Sequence, residues 1–489
     1  MKSNRNILPI QGTIQFSGHT DLYEIVVPQD HELRKLNALC ENFDFVYEEL
    51  KDKYCPDNGR KAEDPRMLFK YLLLKVIDNL SDVDVVARSR YDMSYKWFLG
   101  LAPESDVIDP STLCKFRKQR LSDDSLLDKL IGKSVKIAVD NGLIKSTEII
   151  MDSTHTCSRA NAQVPVNVLQ QISRQLRKAV YGLDKDAKIN MPEKYEGTDP
   201  EKEVAYIETL VEHVSKLPAA MLPAVSEKLN LLKEKLDDVK DHYDVSKDGD
   251  ARRGHKTQDS SFFGYKTHIA INQELIITAA TVTSGEKDDG SQMQKLIDKS
   301  IENGMDVKTA IGDGAYCSKE NLEKSKEKEI RVVSKVNPMV RGVHSDDRFT
   351  FNKDAGMYVC PAGHMAIRKH VSRNKMVETY LFDVRKCIVC KMRETCFKHG
   401  QEYKSFSVCH RTEIQKGQMA FQETDEFREK YRTRYKIEAK NSDLKNNYGY
   451  GRAESYGLHA MTLQGAVTMF ACNMRRIVRM MQEKYKAEA

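Results

Sequence analysis

Four residues near the carboxyl end of the chain combine the groups that metal-assisted phosphate chemistry uses. They are Tyr431, Arg434, Glu438 and Lys445, with no Pro or Gly between them. On a helix that advances about 100° per residue, they would lie within roughly 60° of one another. A carboxylate binds a divalent cation, while Arg and Lys neutralise nucleic-acid phosphates. For this segment taken alone, a solvated charged helix face is the simpler interpretation.

Two aspartates follow apolar runs that predict strands. Asp152 follows residues 148–151, and we expect it to close a short buried strand. Asp313 follows residues 307–311, where flanking glycines allow a sharp turn. Open α/β sheets bind their ligands at such strand ends, although a single Asp there is more often a cap or a turn residue. With Glu438, the two aspartates predict a site for one or two Mg²⁺ or Mn²⁺ ions that catalyse phosphodiester displacement.

The order Asp152, Asp313, Glu438, with Tyr-x2-Arg-x3-Glu-x6-Lys around the glutamate, resembles the DDE transposases of bacterial insertion sequences. Other segments resemble the N-terminal helical domain, the second strand and the second-acid motif of that family. These segments are residues 64–65, 97–100, 109–117, 248–256, 263–268 and 312–316. The resemblance implies a ribonuclease H-like catalytic core. It also implies metal-dependent DNA cleavage and strand transfer at the ends of an insertion sequence.

The resemblance assigns DNA contacts as well as acids. Tyr431, Arg434 and Lys445 are expected to grip DNA close to the cleaved phosphate. Lys266 is a further candidate on a strand predicted near the site, whereas for His268 a structural role is the simpler interpretation. The implied partner is double-stranded DNA, namely terminal inverted repeats and target, bound by a homodimer. Two alternatives use the same residues: a metal-dependent nuclease that does not join strands, and a non-catalytic DNA-binding derivative.

Composition limits the class of protein. The chain has 489 residues, 40% hydrophobic and 31% charged, which predicts a soluble protein of several domains. Residues 463–474, one of the longest apolar stretches, are too few and too polar to cross a bilayer, and residues 1–11 lack the apolar core of a secretory signal. We therefore expect a cytoplasmic protein, associated with the nucleoid when it acts. The net charge is only +6, so DNA binding requires local basic patches. The sequence contains no Gly-rich loop of the kind that binds nucleotide phosphates, and we therefore expect no small-molecule substrate.

Eleven cysteines without a secretory signal favour thiols or a metal over disulfides. Four of them have spacings typical of a structural Zn²⁺ site: Cys360, Cys387, Cys390 and Cys396. His364 and Cys409 are alternatives for the fourth ligand, and ordinary free thiols are the competing interpretation. Residues 368–411 carry 11 Lys and Arg against 4 Asp and Glu, so this segment could lie along DNA.

These features predict an α/β fold with a ribonuclease H-like mixed sheet and flanking helices. Residues 16–130 form an N-terminal all-α domain that binds DNA ends. Residues 145–160, 255–335 and 412–489 form the catalytic core. A helical insertion covers 161–254, and a small zinc-ribbon-like insertion covers 336–411.

Local patterns predict individual elements within these domains. We expect helices over 65–77 and from Ser81 to Arg90, three helices in the insertion over 166–181, 199–217 and 222–243, a hairpin of strands over 262–272 and 275–283, and one helix over 425–447. The expected core of the cysteine-rich insertion is aromatic: Tyr380, Phe382, Phe397, Tyr403 and Phe406.

Four basic residues near the end of the N-terminal domain are candidates for recognising the element ends: Lys115, Arg117, Lys118 and Arg120. The alternative is a packing or dimerisation domain whose basic edge is solvated.

Overall fold

Eight helices open the part of the chain that the computed structural model describes. Described are residues 20–55, 61–123, 125–160, 165–183, 186–195, 197, 199–240, 246–255, 260–336, 348–372, 377–396, 404–409 and 412–488. The helices are α1 (Thr20–Val26), α2 (Glu32–Leu39), α3 (Asp44–Leu50), α4 (Pro65–Ile77), α5 (Asp82–Arg88), α6 (Met93–Leu99), α7 (Pro110–Gln119) and α8 (Leu126–Asp140). Asp64 and Ser81 cap α4 and α5 through their side chains, which confirms the two helices predicted there. Helix α8 continues across residue 130, where the sequence had suggested a domain boundary.

A mixed sheet follows. Its strands are β1 (Glu148–Cys157), β2 (Arg252–His255), β3 (Ser261–Asn272), β4 (Ile277–Ser284), β5 (Thr309–Ile311) and β6 (Arg331–Val333). The strand order is β2-β3-β1-β5-β6, and β4 pairs with β3 beyond the end of β2. β1 is antiparallel to β3 and parallel to β5. The predicted β3–β4 hairpin is confirmed, and β2 begins inside the segment that the sequence had assigned to the helical insertion.

Three long helices between β1 and β2 form a unit with its own core. They are α9 (Pro165–Leu183), α10 (Pro200–Ser215) and α11 (Pro223–Lys240). Leu176, Leu210 and Leu232 are fully buried at their centre. The three predicted helices of this insertion are confirmed. Each begins at a proline, which lacks the amide that a first helical turn leaves unpaired anyway.

The cysteine-rich segment is a small module beyond the helices α12 (Met293–Glu302) and α13 (Lys319–Glu327). It contains β7 (Thr350–Asn352), β8 (Met357–Val359), β9 (Arg368–Val371), β10 (Val377–Phe382), α14 (Val384–Ile388), α15 (Arg393–Cys396) and β11 (Lys404–Cys409). β10 lies between β9 and β11, and β7 pairs with β8. Tyr380, Phe382 and Phe406 are buried, as expected for the module core, whereas the predicted core residues Phe397 and Tyr403 lie outside the described residues.

The C-terminal helices pack against both the opening helices and the sheet. They are α16 (Glu413–Gln422), α17 (Asp425–Arg432), α18 (Tyr435–Asn446) and α19 (Leu458–Glu488). On α19, the ring of Phe470 lies 6.0 Å from Phe45 and 6.0 Å from Phe69 in the opening helices. The same hydrophobic core includes Ile149 and Ile311 of the sheet. The N-terminal helices and the sheet therefore share one interior. Among the described residues, no helix is long and apolar enough to span a membrane.

Two elements that carry predicted site residues differ from expectation. β1 does not end at Asp152 but pairs with β3 as far as Cys157, with Thr154 and Thr156 buried. The single helix expected over 425–447 is two helices, α17 and α18. The Thr433 hydroxyl donates to the Lys430 carbonyl at 2.7 Å and competes for a helical acceptor. The four signature residues therefore do not lie on one continuous helix.

Candidate active site

Asp152 lies within β1, and Asp313 follows the neighbouring strand β5 at the same level of the sheet. Ile150 of β1 pairs in parallel with Ile311 of β5, and each aspartate follows its own isoleucine by two residues. Because side chains alternate along a strand, both aspartates continue the face on which the two isoleucines lie. Asp313 also accepts a hydrogen bond from the Ala315 amide at 2.9 Å, which fixes the turn after β5.

Asp152 is half-buried and interacts with other acids. Its pKa is raised to about 6, chiefly by burial and also by the charges of Asp313 and Asp289, although the Ser153 amide and Arg434 oppose this rise. The Asn441 amide of α18 donates to Asp152 Oδ2 at 3.1 Å. A carboxyl group with this pKa is partly protonated near neutral pH, so a bound cation would favour its ionised form.

Arg434 is a cation that interacts with both aspartates. Burial lowers its pKa, but the charges of Tyr431, Asp152 and Asp313 outweigh this effect and raise the pKa overall. Its Nη1 lies 3.5 Å from the Tyr431 hydroxyl, and its Nη2 lies 3.7 Å from Glu438 Oε1. Arg434 therefore stays charged between the glutamate and the aspartates.

Glu438 lies beside Arg434 and is open to solvent. Its side chain is 63% exposed. Among the described residues, no three His, Cys, Asp or Glu side chains are arranged so that they could hold a metal ion. The structure thus sets Asp152 level with Asp313, but in the described part of the chain the two aspartates and Glu438 do not form a three-carboxylate metal site. Glu438 nevertheless lies one helical turn from Arg434 and one from Asn441, both of which interact with Asp152.

The other predicted DNA-binding residues, Lys445, Tyr431 and Lys266, differ in their contacts within the protein. Lys445 Nζ lies 3.3 Å from His155 Nδ1 at the rim of β1. The Tyr431 ring stacks on Phe427 with 5.4 Å between centroids. Lys266 is only 15% exposed and pairs with Asp289 at 3.0 Å, so its ammonium group is already engaged within the protein.

Sequence reasoning missed Asp289. It follows β4, pairs with Lys266, and lies 3.3 Å from the Nδ1 of the buried His268, whose Nε2 lies 3.0 Å from Thr283 Oγ1. Burial raises the pKa of Asp289, but hydrogen bonds from His268 and Lys266 lower it overall. The available signal was the acidic pair Asp288-Asp289 before Gly290 at a strand end.

Three buried polar atoms around the aspartates have no hydrogen-bond partner in the described part of the chain. They are Tyr316 Oη, Arg434 Nε and Asn441 Oδ1. The pKa of Tyr316 is raised well above its usual value by burial and by the charges of Asp289, Asp152 and Asp313. A buried donor or acceptor without a partner is costly, so these atoms fit a site that takes hydrated cations and phosphate oxygens.

The four predicted zinc ligands surround one small cavity in the cysteine-rich module. Cys360, Cys387, Cys390 and Cys396 all line it, together with His364. All four are free thiols. Burial raises the pKa of Cys387, and the neighbouring thiols raise it further. They are close neighbours, but the structure does not hold them in a geometry that could bind an ion.

Comparison with known proteins decides the family. Residues 21–119 match the family described as Transposase domain (DUF772), and residues 234–474 match the family described as Transposase DDE domain. The chain belongs to the insertion-sequence DDE transposases. This confirms the resemblance seen in the sequence. No curated protein and no solved structure matches the chain.

The family match covers two of the three predicted catalytic acids. Asp313 and Glu438 lie inside the matched DDE range, whereas Asp152 lies outside both matched ranges. The assignment of Asp152 therefore depends on the sheet, where β1–β5 pairing sets it level with Asp313. The DDE domain implies a ribonuclease H-like core, and the mixed sheet of this transposase is compatible with it.

The pKa of Asp152 predicts a pH-dependent stability. Because that pKa is about 6 instead of the usual 3.8, the folded protein binds this proton more tightly than the unfolded chain, and stability falls as pH rises between these values. We expect Asp152→Asn to stabilise the magnesium-free protein by about 3 kcal/mol at pH 7.5. The difference should shrink toward pH 4, and Mg²⁺ should stabilise only the wild type. Thermal melts in magnesium-free buffer test this; a difference independent of pH would contradict it.

Proposed function

We propose that this transposase cleaves DNA at the ends of its insertion sequence and joins them to a target. In this proposal Asp152, Asp313 and Glu438 hold Mg²⁺ or Mn²⁺. The main support is that the parallel pairing of β1 with β5 sets Asp152 level with Asp313, which follows β5, in a DDE-family protein. When bound, the ions supply the positive charge that an attacking and a leaving oxygen require.

Glu438 completes the site by a side-chain movement. Its backbone lies on α18, where Asn441 already contacts Asp152, so rotation of the exposed carboxylate away from Arg434 turns it toward the aspartates. Arg434, released from the Glu438 carboxylate, then binds a phosphate oxygen of the DNA. An arginine suits this exchange because its planar fork binds either anion with paired donors.

Cations along β1 support a path for the DNA backbone. Arg434 interacts with Asp152, Lys445 lies beside His155, and the backbone of Arg452 forms a β-bridge with Cys157 at the strand end. At about 3.3 Å per residue, this row spans roughly 17 Å. Cations near one strand can neutralise phosphates of a bound DNA backbone and release counterions.

The row continues into a groove of about 900 Å³ between the opening helices and the segment before α19, with Lys118, Arg159 and Arg452 in its wall. Of the four basic residues predicted to recognise DNA ends, Arg117 is paired with Asp82, and the Arg120 guanidinium lies over the Tyr54 ring. Lys115 and Lys118 are exposed. We therefore propose that the exposed pair, and not all four, contacts DNA, with a homodimer bridging two element ends.

A strand-joining assay tests this function. The substrate is the terminal DNA that flanks the coding region, supplied with a target plasmid and Mg²⁺ but without chelator. We expect nicking at the element end and covalent transfer of the 3′ end to the target, both lost in Asp313→Asn. Cleavage without joining would favour the nuclease alternative. Retention of both steps in Asp313→Asn would overturn the assignment of this acid.

A further inference from the structure

We propose that the cysteine-rich module is a structural zinc site with Cys360, Cys387, Cys390 and Cys396 as ligands. This site lies in β7–β11 and the two short helices between them, and it is separate from the proposed catalytic cations. Zinc in structural sites takes four Cys ligands, or Cys with His, in a tetrahedral arrangement. All four thiols line one cavity of about 30 Å³, which has room for a single small ion.

The backbone near the cysteines turns as a metal-binding loop requires. The amide of Met392 donates to Cys390 Sγ at 3.4 Å, the position from which it would support a metal-bound sulfur. At the other side of the cavity, Gly363 donates to the Cys360 carbonyl at 2.8 Å and adopts a φ of +81°. That left-handed conformation closes a tight turn that brings Cys360 back toward the module.

Charge around the cavity fits a tetrathiolate centre. Four thiolates and Zn²⁺ leave a net charge of −2, which must be compensated inside a small module. Arg348, Arg393 and Lys404 line the same cavity. Lys404 is held there because its ammonium group donates to the Cys396 carbonyl at 2.6 Å. These three cations are placed to offset the negative charge of a Zn²⁺ centre with four thiolate ligands.

The module also needs a source of stability that its apolar core does not provide. Within its described residues the buried apolar cluster contains only five side chains: Phe349, Ala366, Tyr380, Phe382 and Phe406. Domains this small are usually stabilised by disulfides or a metal, and the four cysteines here are free. The sulfurs are not yet in ligand geometry, so binding requires their side chains to rotate into the cavity. Metal binding and local folding are commonly coupled in this way.

Zinc analysis of the full-length protein tests the proposal. After dialysis without chelator, we expect one zinc per chain in the wild type, and loss of that zinc in Cys387→Ser and Cys390→Ser. Cys55→Ser and Cys114→Ser are matched controls outside the module and should keep it. Exchange of the wild-type metal for Co²⁺ should give the absorption of a tetrahedral thiolate centre, which does not depend on whether the variants fold.

Absence of zinc from the wild type, together with no thiolate spectrum on adding Co²⁺, would overturn the site. Loss of zinc in His364→Ala with retention in Cys396→Ser would overturn the four-cysteine ligand set. Neither result bears on strand transfer, because the assay measures metal content and not DNA cleavage. Failure of the zinc site is thus distinguishable from failure of the proposed function.

Discussion

Replacing Glu438 with glutamine is expected to lower DNA cleavage at least about 100-fold while leaving binding to element ends intact. Substitutions one shell beyond a metal ligand already cost about 10- to 100-fold, so loss of a ligand should cost at least the upper value. Binding should persist because Glu438 is an exposed anion that contributes no attraction to phosphate. Cleavage of end-labelled DNA in Mg²⁺ measures the first effect, and a gel-shift titration measures the second.

Glu429→Gln is the matched control. Glu429 is exposed on α17, the helix just before α18, and the same change there removes one negative charge without touching the site. We expect cleavage within twofold of the wild type for this control, an allowance we set for experimental scatter. If Glu438→Gln cleaves as well as Glu429→Gln does, Glu438 is not a metal ligand.

Arg434→Gln is expected to reduce cleavage by about 10²- to 10³-fold, the cost of removing one preorganised donor from developing negative charge. Arg434 is held in the site by Tyr431 and Glu438, and its Nε has no partner within the described residues. Added Mg²⁺ should not restore the rate, because the lost contact is to DNA and not to the ion. Arg434→Lys should recover only part of it, since a point charge lacks the paired donors of arginine.

Arg432→Gln controls for charge. Arg432 lies two residues away and is exposed at the end of α17, so its loss should affect binding only through general electrostatics and leave the cleavage rate of bound DNA unchanged. Single-turnover cleavage at saturating protein separates the two cases. Full recovery of Arg434→Gln by high Mg²⁺ would show that the arginine assists ion binding instead.

Much of this fold was readable from local sequence signals. The caps at Asp64 and Ser81 begin helices where expected, and two strand-like runs joined by residues 272–274 predicted the β3–β4 hairpin. Such features depend on a few neighbouring residues, whose hydrogen bonds and side-chain periodicity a sequence displays directly.

The site depended on contacts between distant parts of the chain. Whether Asp152 is level with Asp313 is set by β1–β5 pairing, and no residue near either aspartate encodes that register. Asp289 joins the site through Lys266 and His268 on another strand. The break between α17 and α18 has no Pro or Gly to announce it, and the structure shows there only a hydrogen bond from the Thr433 hydroxyl to the Lys430 carbonyl.

A crystal structure of the protein bound to element-end DNA with Ca²⁺, which binds oxygen ligands like those of Mg²⁺, tests the central claim most directly. The claim predicts one or two ions held by carboxylate oxygens of Asp152, Asp313 and Glu438, with Arg434 turned to a phosphate. Ions held by other residues, with Glu438 still paired to Arg434 at the DNA, would contradict it.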